Sequence, residues 1–472
     1  MNTFIQKTIY TALPVLFIFV SNAQVNLSLE QCRELALQRS GEIRIAGKTL
    51  EKADAEKLAA RSYYFPSVSG MATGLYLADK IKSDMYLPTA VPDLSTGQLV
   101  PNVMVGPNGQ PIIGADGNPV FNSYAWFPLE ISLQGAYVAG VSIEQPLYTG
   151  GKISAGNKMA AIGYEMAGYN LEIQKMNVVA EAEQTYWLFV SVKEKVKLAE
   201  TAVESLKALL EKVTNAFETG LVHQNEVLKV QVQLNKAELD LQKARNGLEL
   251  TRMSLCRVTG ISFDTLISVN DSLIAGSAQI LPQLGGEDVS ARPEFKALQK
   301  DIEMEEQNIR LVQADYLPTL GLTAGYFYFG GMKISDIDFD DGYEMILAGL
   351  KIPIFQWGQG KNKVNSAKAT KEIKELELEK NRKLLELQTK QAKLNLQDAF
   401  LRISISEKAL EQANENLRIS NDNYELGFET ISDLLMARLE WQKTYSDLID
   451  AKTDFKIKET TYLKVTGRLG GE

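Results

Sequence analysis

The chain is written twice. Phe217-Glu218-Thr219-Gly220 through Val258-Thr259-Gly260 aligns without a gap on Tyr424-Glu425-Leu426-Gly427 through Val465-Thr466-Gly467, always 207 positions later. Upstream, Tyr64-Phe65-Pro66 pairs with Tyr316-Leu317-Pro318 at an offset of 252, so the first copy carries 45 more residues between these landmarks. A repeat of this size constrains the fold more than any local motif: what one copy builds, the other builds again.

Proline marks the parts of each copy. Nine of the 14 prolines fall from Pro66 to Pro146, while none lies between Pro146 and Pro282 and none follows Pro353. The proline-free tracts are rich in Ala, Leu, Glu, Lys and Gln, which lose little on entering a helix, so both predict long helices. At 1.5 Å per residue, a continuous helix from Lys152 to Ala216 would run on the order of 100 Å. Beyond Gly220, Val227, Val230, Leu234, Ala237, Leu241, Ala244 and Leu248 recur at alternating spacings of three and four, a heptad seam. The second copy keeps the register through Leu434, Ala437, Trp441, Thr444, Leu448, Ala451 and Phe455. Gly220 and Gly427 interrupt these patterns where a residue tolerant of positive φ lets the chain reverse, so each copy predicts a helical hairpin with its tip at the glycine.

Between the helices the pattern changes to period two. From Ile131 to Glu144 odd positions are mostly apolar and even ones small or polar, as in a strand between lipid and water. Leu320, Leu322, Ala324, Tyr326 and Tyr328 form a similar face opposite Gly321, Thr323 and Gly325. Less regular alternation over residues 67–77 and 343–354 makes two strands per copy and four per chain. Four strands cannot close a membrane barrel, and hydrocarbon does not tolerate an open edge, so several chains must contribute. Most of the extra length of the first copy lies from Pro88 to Pro128, where Pro107-Asn108-Gly109-Gln110 and Ala115-Asp116-Gly117-Asn118-Pro119 are turn chemistry. It is expected to be a long loop at the outer mouth, with Tyr124, Trp126 and Phe127 at the membrane interface.

The start of the chain has the form of an export signal. Lys7 precedes an apolar run from Ile9 to Val20, and Ser21-Asn22-Ala23 offers small residues for cleavage before Gln24. No later run reaches the roughly 20 apolar residues of a spanning helix, so membrane insertion is expected through strands. The formal net charge of −9 argues against nucleic acid as a partner. Cys32 and Cys256 would reach an oxidising compartment, where a disulfide is permitted, although buried unpaired thiols are the commoner arrangement.

The residues for catalysis are missing. His223 is the one histidine in the chain, so no histidine cluster can form, and no second ligand set has zinc spacing. Gly358-Gln359-Gly360-Lys361 lacks both the first glycine of a phosphate loop and the Ser or Thr after its lysine. Gly150-Gly151-Lys152 fails likewise, and there is no nucleophile elbow. Neither enzymatic activity nor a cofactor is expected.

Taken in order, these features resemble the TolC family of outer-membrane efflux channels over nearly all of the chain beyond the signal. The carrying residues are Ser28 to Leu37 as an opening helix, the two Tyr-x-Pro junctions before strands and Gln145-Pro146-Leu147-Tyr148-Thr149-Gly150-Gly151 after one. Ile352-Pro353-Ile354-Phe355-Gln356-Trp357-Gly358 and the glycine-centred tips complete the set. The resemblance implies a mainly α fold with a small β part, in which tandem-duplicated long helical hairpins of three chains form an α-barrel. A 12-stranded transmembrane β-barrel, four strands per chain, would continue it. The implied boundaries are a signal peptide at 1–23, a first repeat at 24–260, an equatorial linker at 261–288 and a second repeat at 289–472.

Function follows as an expectation of the same resemblance: a passive homotrimeric exit duct in the outer membrane. It would be fed by an inner-membrane pump of the RND or ABC type through a periplasmic adaptor protein. Gly220, Leu221, Gly427 and Phe428 would form the tips that dock on the adaptor. Asp433, with Glu226 as its counterpart in the first copy, would line the channel constriction. Met436 stands where some members place a further acid, which weakens any charge ring. Cys32 and Cys256 would come near the equatorial belt, within possible reach of a disulfide. Two alternatives stay open, a role in type I protein secretion and a periplasmic coiled-coil scaffold, though a scaffold has no use for four alternating strands.

Overall fold

A computed structural model describes residues 25–86, 90–93, 95–122, 128–274, 285, 288–334 and 337–469. The predicted export signal and the interfacial Tyr124, Trp126 and Phe127 lie outside these residues. In chain order the elements are β1 (Val25–Asn26), α1 (Leu29–Arg39), α2 (Gly41–Ser62), β2 (Ser67–Tyr86), β3 (Ala90–Pro92), β4 (Leu99–Pro101) and β5 (Pro128–Tyr148). There follow α3 (Lys152–Glu218), α4 (Gln224–Thr259), β6 (Ile267–Ser268), α5 (Pro293–Ala314), β7 (Thr319–Ile334), β8 (Ile337–Lys351), α6 (Gln359–Glu425) and α7 (Ile431–Val465). The protein is mainly helical, and α3 and α6 are each 67 residues long.

Two compact units divide the chain. One comprises Met1–Asp54, Ile162–Glu303 and Glu372–Glu472; the other comprises Ala55–Ala161 and Met304–Lys371.

In the first unit the heptad seams are the core. Val230, Leu234 and Ala237 of α4, and Leu434, Ala437, Thr444, Leu448, Ala451 and Phe455 of α7, are all buried. A larger apolar cluster joins α1, α3, α4 and the linker through Cys32, Ala182, Tyr186, Val190, Leu255, Cys256 and Leu273. The linker reaches it by pairing β6 in parallel with β1, Val25 opposite Ile267. Polar groups buried beside this cluster are matched. Glu183, whose side chain is 4% exposed, accepts from Arg33 Nε at 2.7 Å and also from the Thr460 hydroxyl, which ties α1, α3 and α7 together. The Tyr186 hydroxyl donates to Asp271 at 2.7 Å, and burial pushes its titration upward. Leaving such groups unpaired would cost roughly 1–3 kcal/mol each.

The second unit holds a four-stranded antiparallel sheet in the order β2-β5-β7-β8. Its two hairpins share one register as far as Tyr76 and Phe329, so that Gly74 faces Tyr137 in β2–β5 and their equivalents Tyr326 and Glu344 face each other in β7–β8, and beyond those residues their irregularities differ. One face carries Val68, Val141, Ile143, Tyr326 and Ile346, all exposed, while on the other Ser69 and Ser142 share a hydrogen bond of 3.1 Å. The expected strands are present and mostly longer, but the fourth ends at Lys351 rather than near residue 354. Pro353 has no N–H to donate to a ladder, which accounts for the earlier end.

The segment expected as a plain loop has structure of its own. β3 pairs with β4, and beyond them three backbone bonds close a ring: Met104 N–H to Val120 C=O, Val120 N–H to Ile112 C=O, and Ile112 N–H to Met104 C=O, at 2.7, 2.9 and 2.8 Å. The three residues are eight apart, and the two intervening turns are those read from the Asn-Gly and Asp-Gly pairs. Turn chemistry was visible; the closure between turns depends on contacts that no local motif encodes.

One departure from the duplication is conformational. Gly150 and Gly151 leave β5 with φ of 64° and 90°, and their equivalents 207 residues on are Trp357 and Gly358, with φ of 53° and 79°. Gly150 has no room for a side chain, because a Cβ would stand 2.8 Å from the Ala314 carbonyl oxygen and 2.8 Å from Leu317 Cβ. Trp357 therefore holds a left-handed backbone that its counterpart reaches without strain.

Candidate functional site at the helical tips

The reversal at each tip follows from glycine. α3 ends at Glu218 and α6 at Glu425, and Gly220 and Gly427 have φ of 76° and 79°. In that conformation Leu221 N–H reaches back to Ala216 C=O and Gly220 N–H to Phe217 C=O, both at 2.9 Å. Phe428 to Asn423 and Gly427 to Tyr424 repeat the pattern at 2.8 and 3.1 Å. These are paired six-to-one and five-to-two bonds, which satisfy helix-terminal carbonyls and turn the chain sharply. They leave Leu221 and Phe428 79% and 78% exposed.

The return helices start differently. Thr430 caps α7: its hydroxyl accepts from Asp433 N–H at 3.3 Å, while the Asp433 carboxylate accepts from Thr430 N–H at 3.2 Å and from its hydroxyl at 2.6 Å. The Thr430 hydroxyl, the Thr430 amide and the nearby Lys229 charge hold Asp433 below the usual aspartate range. At the equivalent place in the first copy His223 caps α4 without a side-chain bond, and Glu226 occupies the third helical position. Glu226 lies close enough to Tyr424 for its charge to help burial raise that phenol's titration. The structure thus places both predicted constriction acids in the first turns of the return helices. Within one chain Asp433 serves as half of a capping box.

The two tips are joined side by side. Leu209, Val213, Val230, Ile431, Leu434 and Leu435 form a shared apolar cluster. Lys212 pairs with Glu425 at 3.0 Å, and Lys229 donates to the Ser432 hydroxyl at 2.9 Å. Farther along α7, Arg438 donates to Ser205 of α3 and, at 3.1 Å, to Asn421 of α6. Sequence reasoning missed the capping box, though Thr-x-x-Asp before an apolar run announces it. It also missed Arg438, which sits beside a heptad position with no local sign of burial.

Cys32 and Cys256 belong to one apolar cluster and both are buried thiols. Burial, then the Glu183 charge, pushes the Cys32 thiol up to about 12, and burial likewise raises Cys256. Among the described residues no group of histidine, cysteine and carboxylate side chains is arranged to hold a metal. No described helix is long and apolar enough to cross a membrane.

A duplicated pair of long helical hairpins alternating with a four-stranded sheet defines a class of channel protein. The chain belongs to the outer membrane efflux protein family, whose model matches residues 129–261 and 287–468. It is an outer-membrane protein of a family of ducts rather than of enzymes. Over 311 residues it is 22% identical to outer membrane protein TolC of Salmonella enteritidis, a match covering 64% of this chain and 62% of that protein. The match thus spans less than two thirds of that relative. Among solved structures, CusC superimposes with a TM-score of 0.73 at 15% identity, over 95% of this chain and 93% of that one. VceC from Vibrio cholerae gives 0.70 at 16% identity, over 93% and 96%. At such identities the superpositions show the shared fold.

Proposed function

We propose that three copies of this chain assemble into an exit duct through the outer membrane and periplasm. One observation carries this reading: β2 and β8 stand at the two ends of the sheet order, each paired on one side only. Long open edges beside an exposed apolar face are not stable in lipid, and strands from further copies satisfy them. Three chains of four strands would give a 12-stranded barrel, and the hairpins would continue as a helical tunnel.

The tips are then the periplasmic entrance. Gly220, Leu221, Gly427 and Phe428 would dock on an adaptor protein, through which an inner-membrane pump delivers its cargo and supplies the energy. Leu221 and Phe428 offer apolar anchors of the kind such contacts use. Asp433 and Glu226 would surround the opening as six carboxylates.

The mass of the protein extracted in mild detergent tests the assembly. Three chains per particle are expected; a monomer that keeps its sheet would overturn it. Conductance tests the entrance: Asp433→Ala should raise resting conductance or weaken block by divalent cations, with a smaller effect from Glu226→Ala. Parental behaviour of both variants would leave these acids as helix-start groups alone.

A further inference from the structure

Between the two hairpins, beyond the tip cluster, lies a cavity of about 250 Å³. All four helices wall it: Ala202 and Leu206 from α3, Ala237 from α4, Leu417 from α6, and Leu435 and Trp441 from α7. Ala202, Ala237 and Leu435 of this lining are buried, while Lys236, Asp240 and Leu439 are exposed, so the cavity is set into the packing on one side and opens to the surface on the other.

Its lining carries the exposed Lys236 and Asp240 and the partly buried Arg438. One terminal nitrogen donates to the Ser205 hydroxyl and the other to the Asn421 side-chain carbonyl, both neutral acceptors. Its Nε is buried and has no hydrogen-bond partner. Among the described residues no carboxylate forms an ion pair with it. The acid that shares the lining, Asp240, is paired with Lys243 at 3.2 Å. Burial alone moves the Arg438 titration, downward, with no opposing anion. A guanidinium stays charged at any pH a protein survives, so its partial desolvation favours an anion beside it. In a chain of net charge −9, that anion is conspicuously not supplied from within.

We propose that this cavity is a binding site for a small amphipathic monocarboxylate, its head on Arg438 and its apolar body among Leu206, Ala237, Leu417 and Leu435. The two carboxylate oxygens suit the Nε edge of a guanidinium, which Arg438 would present by turning that buried, unpartnered edge toward the cavity. The volume falls below the roughly 300–1,000 Å³ typical of drug-sized sites, which selects an acid of about eight carbons over a larger ligand. Because the site draws on both hairpins, an occupant adds contacts to each and favours the arrangement in which they lie together. The site does not depend on the exit-duct reading, since binding is measured on the purified protein whatever it conducts.

The test uses the whole protein in lipid nanodiscs, with octanoate as the probe and calorimetry as the readout. Ala237→Leu fills the cavity and supplies the background from lipid partitioning. The expectation is saturable binding above that background, weakened at least tenfold by Arg438→Gln and less by Arg438→Lys. Octanol and octylamine should bind at least tenfold more weakly than octanoate. Independently, 8-bromooctanoate should quench tryptophan emission in the parent, and Trp441→Phe should abolish the saturable part of the quench. Octanoate binding equally to the parent and to folded Arg438→Gln, or octanol matching octanoate, would overturn the proposal. So would a quench that survives Trp441→Phe.

Discussion

The carboxylate of Asp433 closes a reciprocal pair of hydrogen bonds with Thr430, whereas His223 and Glu226, their equivalents 207 residues earlier, make no such pair. Copies that agree in register therefore differ in how firmly their return helices begin. Thr430→Ala should destabilise the start of α7 by ~1 kcal/mol, and His223→Ser should stabilise the start of α4 by a similar amount. Hydrogen exchange at the first turns of the two helices measures both. The α7 start should also respond to acid. A carboxyl held below its unfolded value of 3.8 contributes fully above that value and loses its contribution as pH falls through the lower, folded one. Exchange protection at the start of α7 should weaken below about pH 4 in the parent and weaken less in Thr430→Ala, which has lost the hydroxyl bonds and keeps the one from its backbone N–H.

Gly220→Val or Gly427→Val should disfavour the left-handed turn by roughly 1–2 kcal/mol and displace Leu221 or Phe428. Membrane insertion should be retained, while cross-linking to the adaptor and export should fall. Normal export with both glycines replaced would show that the tips are not the docking surface.

Trp357 offers a reversal of the ordinary ranking of glycine and alanine. Since its backbone is left-handed, Trp357→Gly should be more stable than Trp357→Ala by about 1 kcal/mol, as read from unfolding in one detergent. At Gly150→Ala the same preference for glycine applies and the loss should be larger, because clash with Ala314 and Leu317 adds to the strain.

The group formed by buried Glu183 and Thr460 with the partly exposed Arg33 should be sensitive to imbalance. Arg33→Met leaves the buried Glu183 charge without its cation, and because Arg33 is itself 37% exposed the cost should be about 1–3 kcal/mol, below that of a fully buried pair. Pairing it with Glu183→Gln should recover a large part, and a double-mutant cycle in unfolding experiments measures the recovery. The thiols give a separate readout: Cys32 and Cys256 should resist alkylation in the folded protein and both react after unfolding without reductant. A count below two would show that they pair.

The proposed trimer makes a specific demand on register. The seam between the copies inside one chain pairs Val141 with Tyr326, and the duplication carries these positions onto Ala348 and Gly74. Ala348→Cys and Gly74→Cys, combined in one chain, should cross-link neighbouring copies into dimers and trimers on denaturing gels. Gly74 has a negative φ and open space at its Cβ, so the substitution itself is mild. Pairing Ala348→Cys with Gly70→Cys, a strand step of four residues away, should give little product.

Helices, seams and strands were legible because each rests on a period that the chain repeats twice. The Lys152-to-Ala216 tract, the heptad positions from Val227 to Leu248 and the alternation from Ile131 to Glu144 all express local spacing, and the helix and strand periods follow from it. What escaped was set by contacts distant in sequence. The ring through Met104, Ile112 and Val120 closes across turns, Glu183 meets a partner 150 residues before it and another 277 after it, and Arg438 meets Ser205 from 233 residues away. At the tips the glycines announced themselves through positive φ. The role of Asp433 within its own chain, a bond to Thr430, was written in a four-residue signature that its resemblance to a constriction acid obscured.

The shared register of the two hairpins changes what counts as the repeating unit. In the proposed barrel each seam has the same pairing whether or not the chain continues across it, so the hydrogen-bond lattice is blind to where one molecule ends. The wall then has sixfold order built from single hairpins over the stretch of shared register, and the differing irregularities beyond Tyr76 and Phe329, with the residues present in the first copy alone, lower it to threefold. The closed ring at Met104, Ile112 and Val120 belongs to that addition. It recurs on alternate hairpins, making one rim of the wall triangular while the strands beneath keep the higher symmetry.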